Sequence, residues 1–505
     1  MRYTNPVIPG FHPDPSVCRV NDDYYLVNSS FEYFPGVPVF HSRDLVNWRH
    51  IGNCLTRVSQ LPLEKAPCSG GIYAPTLRFH NNRFYMVTTN VSGGGNFFVT
   101  ARDPAGPWSD PVWLEQDGID PSLLFDEDGK VYLAGSAGGA QGAIIQSEID
   151  PETGQIITPA RIIWKGTGGQ YPEAPHLYRI NGIYYLMIAE GGTDWGHMVT
   201  IARSNSPWGP FTPCPHNPIL THRSTCLPIQ CTGHADLVQD SNWRWWLFFL
   251  GTRPHRHWHH LGRETFLAPV EWNDDGWPVV GDHGQAGPAM DADLPEPHLW
   301  PPQPIRDDFD RPALRLQWNM LRNPRDGDRT LTERPGWLRL RGSAVTLSDV
   351  DSPAFAGRRQ QHMVCTVRTR LSFDPSQEGD EAGLTTLMNE RHHYELAVTR
   401  RDGVRALVFR RTIGTLSNEQ VQPLQEDGPV ELEIRADREW YIFGHYEAAG
   451  RFRETGRGET RYLSKEVAGG FTGVYVGLYA NGRGRPCATP ADFDWFEYEG
   501  ITDHC

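Results

Sequence analysis

Three acidic residues hold matching places in a repeated phrase: Asp14 opens DPSVCRVNDDYYLVNSS, Asp120 opens DPSLLFDEDGKVYLAGS, and Glu173 directly precedes APHLYRINGIYYLMIAE. Carboxyl groups brought to one pocket can divide acid and base work between them. Cleavage of a glycosidic bond needs that division, with one carboxylate ionised to activate water and one carboxyl protonated to donate to the leaving oxygen. A third carboxylate beside the acid raises its pKa, because like charges disfavour a second ionisation. Two plainer readings compete. Asp-Pro-Ser starts turns, since Asp bonds its own backbone and Pro fixes the next φ. Three carboxylates can also be ligands of a central calcium, because hard cations take carboxylate oxygens.

The elements that must position these groups are strands. Helical periodicity is nearly absent, and short alternating or apolar runs are separated by Gly, Pro, Asn and Asp, which predicts an all-β chain. One unit recurs, an opening strand, a turn and an aromatic-rich second strand, starting at Asp14, Ala74, Asp120, Ala174 and His234. ARDPAGPWSDP and ARSNSPWGPFTP close the second and fourth copies. Repeats of this length suit four-stranded propeller blades, so residues 1–300 are expected to form a five-bladed β-propeller. The first strand of each blade lines the axis, so residues that open it converge at one mouth. That alignment adds Tyr73 and His234 to the three acids. A Pro-rich stretch, GPAMDADLPEPHLWPPQP, reads as a stiff linker. Residues 301–505 hold about seven alternating strand candidates and predict a second domain, a β-sandwich.

Composition removes some partners. The formal charge is -14, with 61 acidic and 47 basic residues in no long runs, which excludes a nucleic-acid or anionic-membrane binder. The nine Cys show neither C-x-x-C spacing nor disulfide-like regularity, and an odd count predicts reduced thiols. With no apolar run behind Met1–Pro6 and no transmembrane stretch, the expected location is the cytoplasm, with small imported sugars as substrate.

Longer motifs carry a resemblance. NPVIPGFHPDPS, SSFEYFPGVPVFHSRDLVNW, SGGIYAPTLRFHNNRFYMV, IDPSLLFDEDGKVYL, YPEAPHLY, GHADLVQ and LGRETFLAPVEW together resemble glycoside hydrolase family 43, in its β-xylosidase and α-L-arabinofuranosidase branch. The resemblance spans nearly the whole chain, and the C-terminal half looks like the concanavalin-like jelly roll attached to that branch. It implies an inverting exo-glycosidase that releases xylose or arabinofuranose from small oligosaccharides, with no cofactor for the chemistry. The invertase-like families share the architecture, but their W-M-N-D-P-N-G motif is missing. The alternative from another class is a non-catalytic sugar-binding propeller, which would not need all three acids.

By motif, the resemblance makes Asp14 the general base, Glu173 the general acid and Asp120 the group that tunes and orients the acid. Arg263 matches an arginine that holds sugar hydroxyls; the plainer reading is a salt bridge to Glu264 or another acid. His234 matches a histidine at the funnel floor, and Phe31 an aromatic wall of the sugar site. Tyr73 stands where many xyloside-specialised members carry Trp, so sugar preference stays open. Trp195 and His197 are expected on the same rim. In the sandwich, Glu333, Asp494, Asp307 and Asp308 are candidate ligands of a structural calcium. Linkage and oligomeric state stay open, a homo-oligomer included.

Overall fold

A computed structural model describes residues 1–425 and 427–501. Five four-stranded antiparallel units follow one another along the chain, the fourth with one extra short strand. Their opening strands are Ser16–Val20, Thr76–His80, Ile119–Phe125, Glu173–Ile180 and Gln230–Gln239. The second strands, such as Ile183–Glu190 (IYYLMIAE), are almost wholly buried. That is why they read as continuous apolar runs: each blade is covered on both faces by its neighbours.

Apolar clusters fill the gaps between successive blades. Val39 meets Leu77 between the first and second, and Val87 meets Leu133 between the second and third. Ile144 with Leu186 and Met187 with Phe249 continue the ring. Leu26 and Phe40 pack with Phe248 and Leu267, which joins the fifth blade to the first. The N-terminal segment seals this join. Asn5 Nδ2 donates to the Leu267 carbonyl at 2.9 Å, and the Leu267 amide donates to Asn5 Oδ1 at 2.9 Å. Arg2–Thr4 pairs with Ala289–Asp291.

The Pro-rich segment is tied to the first blade: the His298 amide donates to Asp44 at 2.7 Å and Trp300 Nε1 to the Asn47 carbonyl at 3.1 Å. Two antiparallel sheets of eight and six strands follow, from Arg306 to Ile501, and bury one core between them. Phe11, Phe31 and Tyr33 of the propeller pack with Leu387, Tyr475 and Tyr479 of the sandwich, so the domains share an apolar seam. Among the described residues, no helix is long and apolar enough to cross a membrane.

Candidate active site

The blade openings are irregular where the chemistry is expected. Asp14, Asp120, Ala174 and His234 have φ of 52°, 54°, 54° and 42°. Ladder register breaks at Ile119/Ser122, Glu173/His176 and Gly233/Ala235. A bulge turns a side chain out of the strand's alternation. A non-glycine residue in the left-handed region costs about 1–3 kcal/mol and persists only where its surroundings impose it. Here the result is that groups from all five blades line one small cavity of about 60 Å³.

Asp14, Asp120 and Glu173 all line that cavity, with Phe31, Tyr73, His234 and Arg263. Asp14 is buried. It accepts from Arg263 Nη1 at 2.8 Å and from the Ser29 hydroxyl, and His234 Nδ1 lies 3.6 Å away. Burial alone would raise its pKa; Arg263, His234 and Ser29 outweigh it and hold the carboxyl below its usual value. Glu173 goes the other way. Burial, then the charges of Asp120 and Asp14, push it up to about 8. Asp120 is raised as well, by burial and then by Asp14, against the pull of His234. Its Oδ2 accepts from the Ala174 amide at 3.1 Å, which fixes it against the residue after Glu173. At neutral pH one carboxyl is therefore ionised and another protonated in the same cavity, the split that acid–base cleavage requires.

Arg263 is not paired with Glu264, whose carboxylate is taken by Arg253 at 2.7 and 2.8 Å. Its guanidinium lies 5.6 Å from the ring of Phe31 and 5.7 Å from that of Phe471, and donates to Thr193 Oγ1 at 3.2 Å. Phe31 in turn packs on Tyr73 at 5.3 Å. Trp195 is exposed on the loop after Thr193 and is not part of the cavity wall. His197 is not on the rim as expected. It is buried against Gly233, with Nδ1 3.1 Å from the Cys231 carbonyl.

Thr193 and Phe471 complete the wall, and the blade alignment selected neither. Phe471 comes from the sandwich, where no propeller repeat points to it. Its amide donates to Ser69 Oγ at 2.8 Å, while Lys465 Nζ donates to the Thr193 carbonyl at 2.6 Å.

Asp236 was also missed, although it lies two residues past His234 in the same phrase. Fully buried beneath the cavity, it accepts from Ser16 Oγ at 2.7 Å, Arg78 Nη1 at 2.9 Å and Tyr178 at 2.6 Å. One carboxylate thus ties four blades together at the axis. Asp236→Ala strands the Arg78 charge and should cost about 3–5 kcal/mol in denaturant unfolding. A loss under 1 kcal/mol would show that the ring does not depend on this knot.

The calcium expectation for the sandwich is corrected. Glu333 is paired with Arg339 at 3.2 Å and with Arg341, and Asp494 lies 3.5 Å from Arg370. Asp308 faces Arg306 at 2.6 Å, and Asp307 accepts from Trp318 Nε1 at 2.9 Å. Guanidinium groups neutralise carboxylates that a cation would need. Among the described residues, no group of three or more His, Cys, Asp or Glu is placed to hold a metal ion.

Comparison with known proteins agrees with this geometry. The family described as Glycosyl hydrolases family 43 matches residues 3–278, and the Beta xylosidase C-terminal Concanavalin A-like domain matches residues 306–499. A non-reducing end alpha-L-arabinofuranosidase of Bacteroides ovatus is 46% identical, over 98% of this chain and 94% of its own. A xylosidase/arabinosidase of Butyrivibrio fibrisolvens is 39% identical, over 98% of this chain and 99% of its own. A solved Bacteroides ovatus structure, described as xyloglucan PUL GH43B, superposes with a TM-score of 0.96 at 45% identity, covering 99% of this chain and 100% of that one. The chain is a glycosidase and belongs to glycosyl hydrolases family 43.

Proposed function

We propose that this enzyme is an inverting exo-glycosidase that removes single terminal pentoses from oligosaccharides, with α-L-arabinofuranosides cleaved faster than β-D-xylosides. The observation that carries it is the opposed pKa shifts of Asp14 and Glu173 in one small cavity that Arg263 and three aromatic rings also line. Asp14 takes the proton of the attacking water, and Glu173 gives its proton to the departing oxygen. Asp120 keeps that proton on Glu173 through its own charge. Arg263 and Thr193 offer donors to sugar hydroxyls, and Phe31, Tyr73 and Phe471 supply apolar faces. The preference for arabinofuranose is supported by Tyr73 in place of Trp and by the activity of the Bacteroides ovatus relative. A reducing compartment is part of the proposal, supported by the eight cysteines among the described residues, all of them free thiols.

Relative rates on nitrophenyl α-L-arabinofuranoside and β-D-xyloside test the preference; a faster xyloside reverses it. Proton NMR of the first-formed sugar tests the stereochemistry. A single displacement by water inverts the anomeric carbon, so a β-xyloside should yield α-xylose before mutarotation. First-formed β-xylose, or a sugar trapped covalently on Asp14 or Asp120, rules the single displacement out.

A further inference from the structure

A cavity of about 600 Å³ lies between the propeller and the sandwich, far larger than the one that holds the carboxylates. Its wall carries Arg49, Arg311, Arg315, Arg358 and Arg359, with His12 and His50, and no Asp or Glu. In a chain of net charge -14, five guanidinium groups on one acid-free wall are a local excess of positive charge.

The charges nearest its floor lack anionic partners. Arg358 Nη2 donates to Gln361 Oε1 at 3.0 Å and Arg359 Nη1 to Asn319 Oδ1 at 2.8 Å, both neutral acceptors. Nε of Arg358, and Nε and Nη2 of Arg359, are buried without a hydrogen-bond partner, and Arg359 is only 6% exposed. Aromatic rings hold both groups in place: Arg358 lies 4.2 Å from Tyr498, and Arg359 5.5 Å from Tyr475. From outside the wall, Asp307 pairs with Arg315 at 3.3 Å and its charge also acts on Arg358 from further away. Burial lowers the Arg358 pKa, and burial with the Arg359 charge brings His50 down to about 4. Buried donors in native proteins nearly always have acceptors, and a buried charge is costly unless paired. An anion in the cavity would lie beside both charges and offset the cost of burying them.

We infer that this interdomain cavity binds a small oxyanion, a phosphate or carboxylate compound, between Arg358 and Arg359 with Arg311 and Arg315 at its sides. Guanidinium forks match both anions in two-point contacts. Phe40 and Trp48 on the wall leave room for an apolar part of the ligand. The site is separate from the carboxylate cavity and does not depend on which sugar is cleaved.

Titration calorimetry on the full chain tests it, with pyrophosphate and citrate as probes and chloride holding ionic strength constant. Saturable binding of at least one probe is expected. Arg358→Gln, and Arg311→Gln on the exposed rim, should each weaken it about tenfold, as expected for lost charged hydrogen bonds. Pyrophosphate alone assigns phosphate chemistry, and citrate alone assigns carboxylate. Without probe, Arg358→Gln should melt no lower than the parent, since it removes an unpaired buried charge. Absence of binding by both probes at millimolar concentration, or binding that Arg311→Gln leaves intact, overturns the site.

Discussion

Asp14→Asn is expected to lower kcat/KM by about 10² to 10⁴ on every pentoside, whatever the leaving group, because water must be activated in each case. The structure makes the substitution stringent. An amide cannot hold the charge that Arg263 and Ser29 surround, and Arg263 would be left buried without its anion. Binding and chemistry separate in the measurement. If Asp14 only anchors Arg263, the loss is in KM; if it is the base, kcat falls as well. An unchanged kcat with natural oligosaccharides would remove Asp14 from the base role.

Glu173→Gln should give a different signature. Natural oligosaccharides slow by about 10² to 10⁴, while aryl glycosides with good leaving groups keep most of their rate, since they need little protonation. Equal losses on both would end the acid assignment. The pH profile follows from the same group. Glu173 must be protonated to act, so kcat/KM is held below its raised pKa and falls as pH climbs through about 8. Asp14 must be ionised, and its depressed pKa keeps the acid limb low. Asp120→Asn removes a neighbouring negative charge and should move the basic limb to lower pH. A basic limb that stays put would leave Asp120 as a positioning residue only.

Much of the propeller was legible because its strands are covered on both faces and its blades repeat. The aligned phrase was enough to bring Asp14, Asp120 and Glu173 to one cavity, with Tyr73 and His234. What the alignment could not hold is any contact made across domains. Phe471 lies in GGFTG of the sandwich, and its neighbourhood is set by Ser69 and Arg263, distant in sequence. Thr193 has the same character, fixed by Lys465. In the sandwich, the strand candidates were found where alternation was strong. Leu416–Pro423 is an exposed edge strand of mostly polar residues and Glu381–Asn389 a central strand buried on both faces, so neither shows alternation. The calcium expectation failed for a related reason: acidic residues are visible in a sequence, but the arginines folded against them are not.

The origin of Phe471 also sets the order in which the enzyme comes into being. A ribosome builds the chain from the N-terminus, so a nascent protein can present a finished propeller with every carboxylate in position while the last wall of the sugar site is still untranslated. The cavity is thus closed late in synthesis, after Asp14, Asp120 and Glu173 have been made. Shuffling C-terminal halves among relatives would therefore change one wall of the cavity without touching Asp14, Asp120 or Glu173.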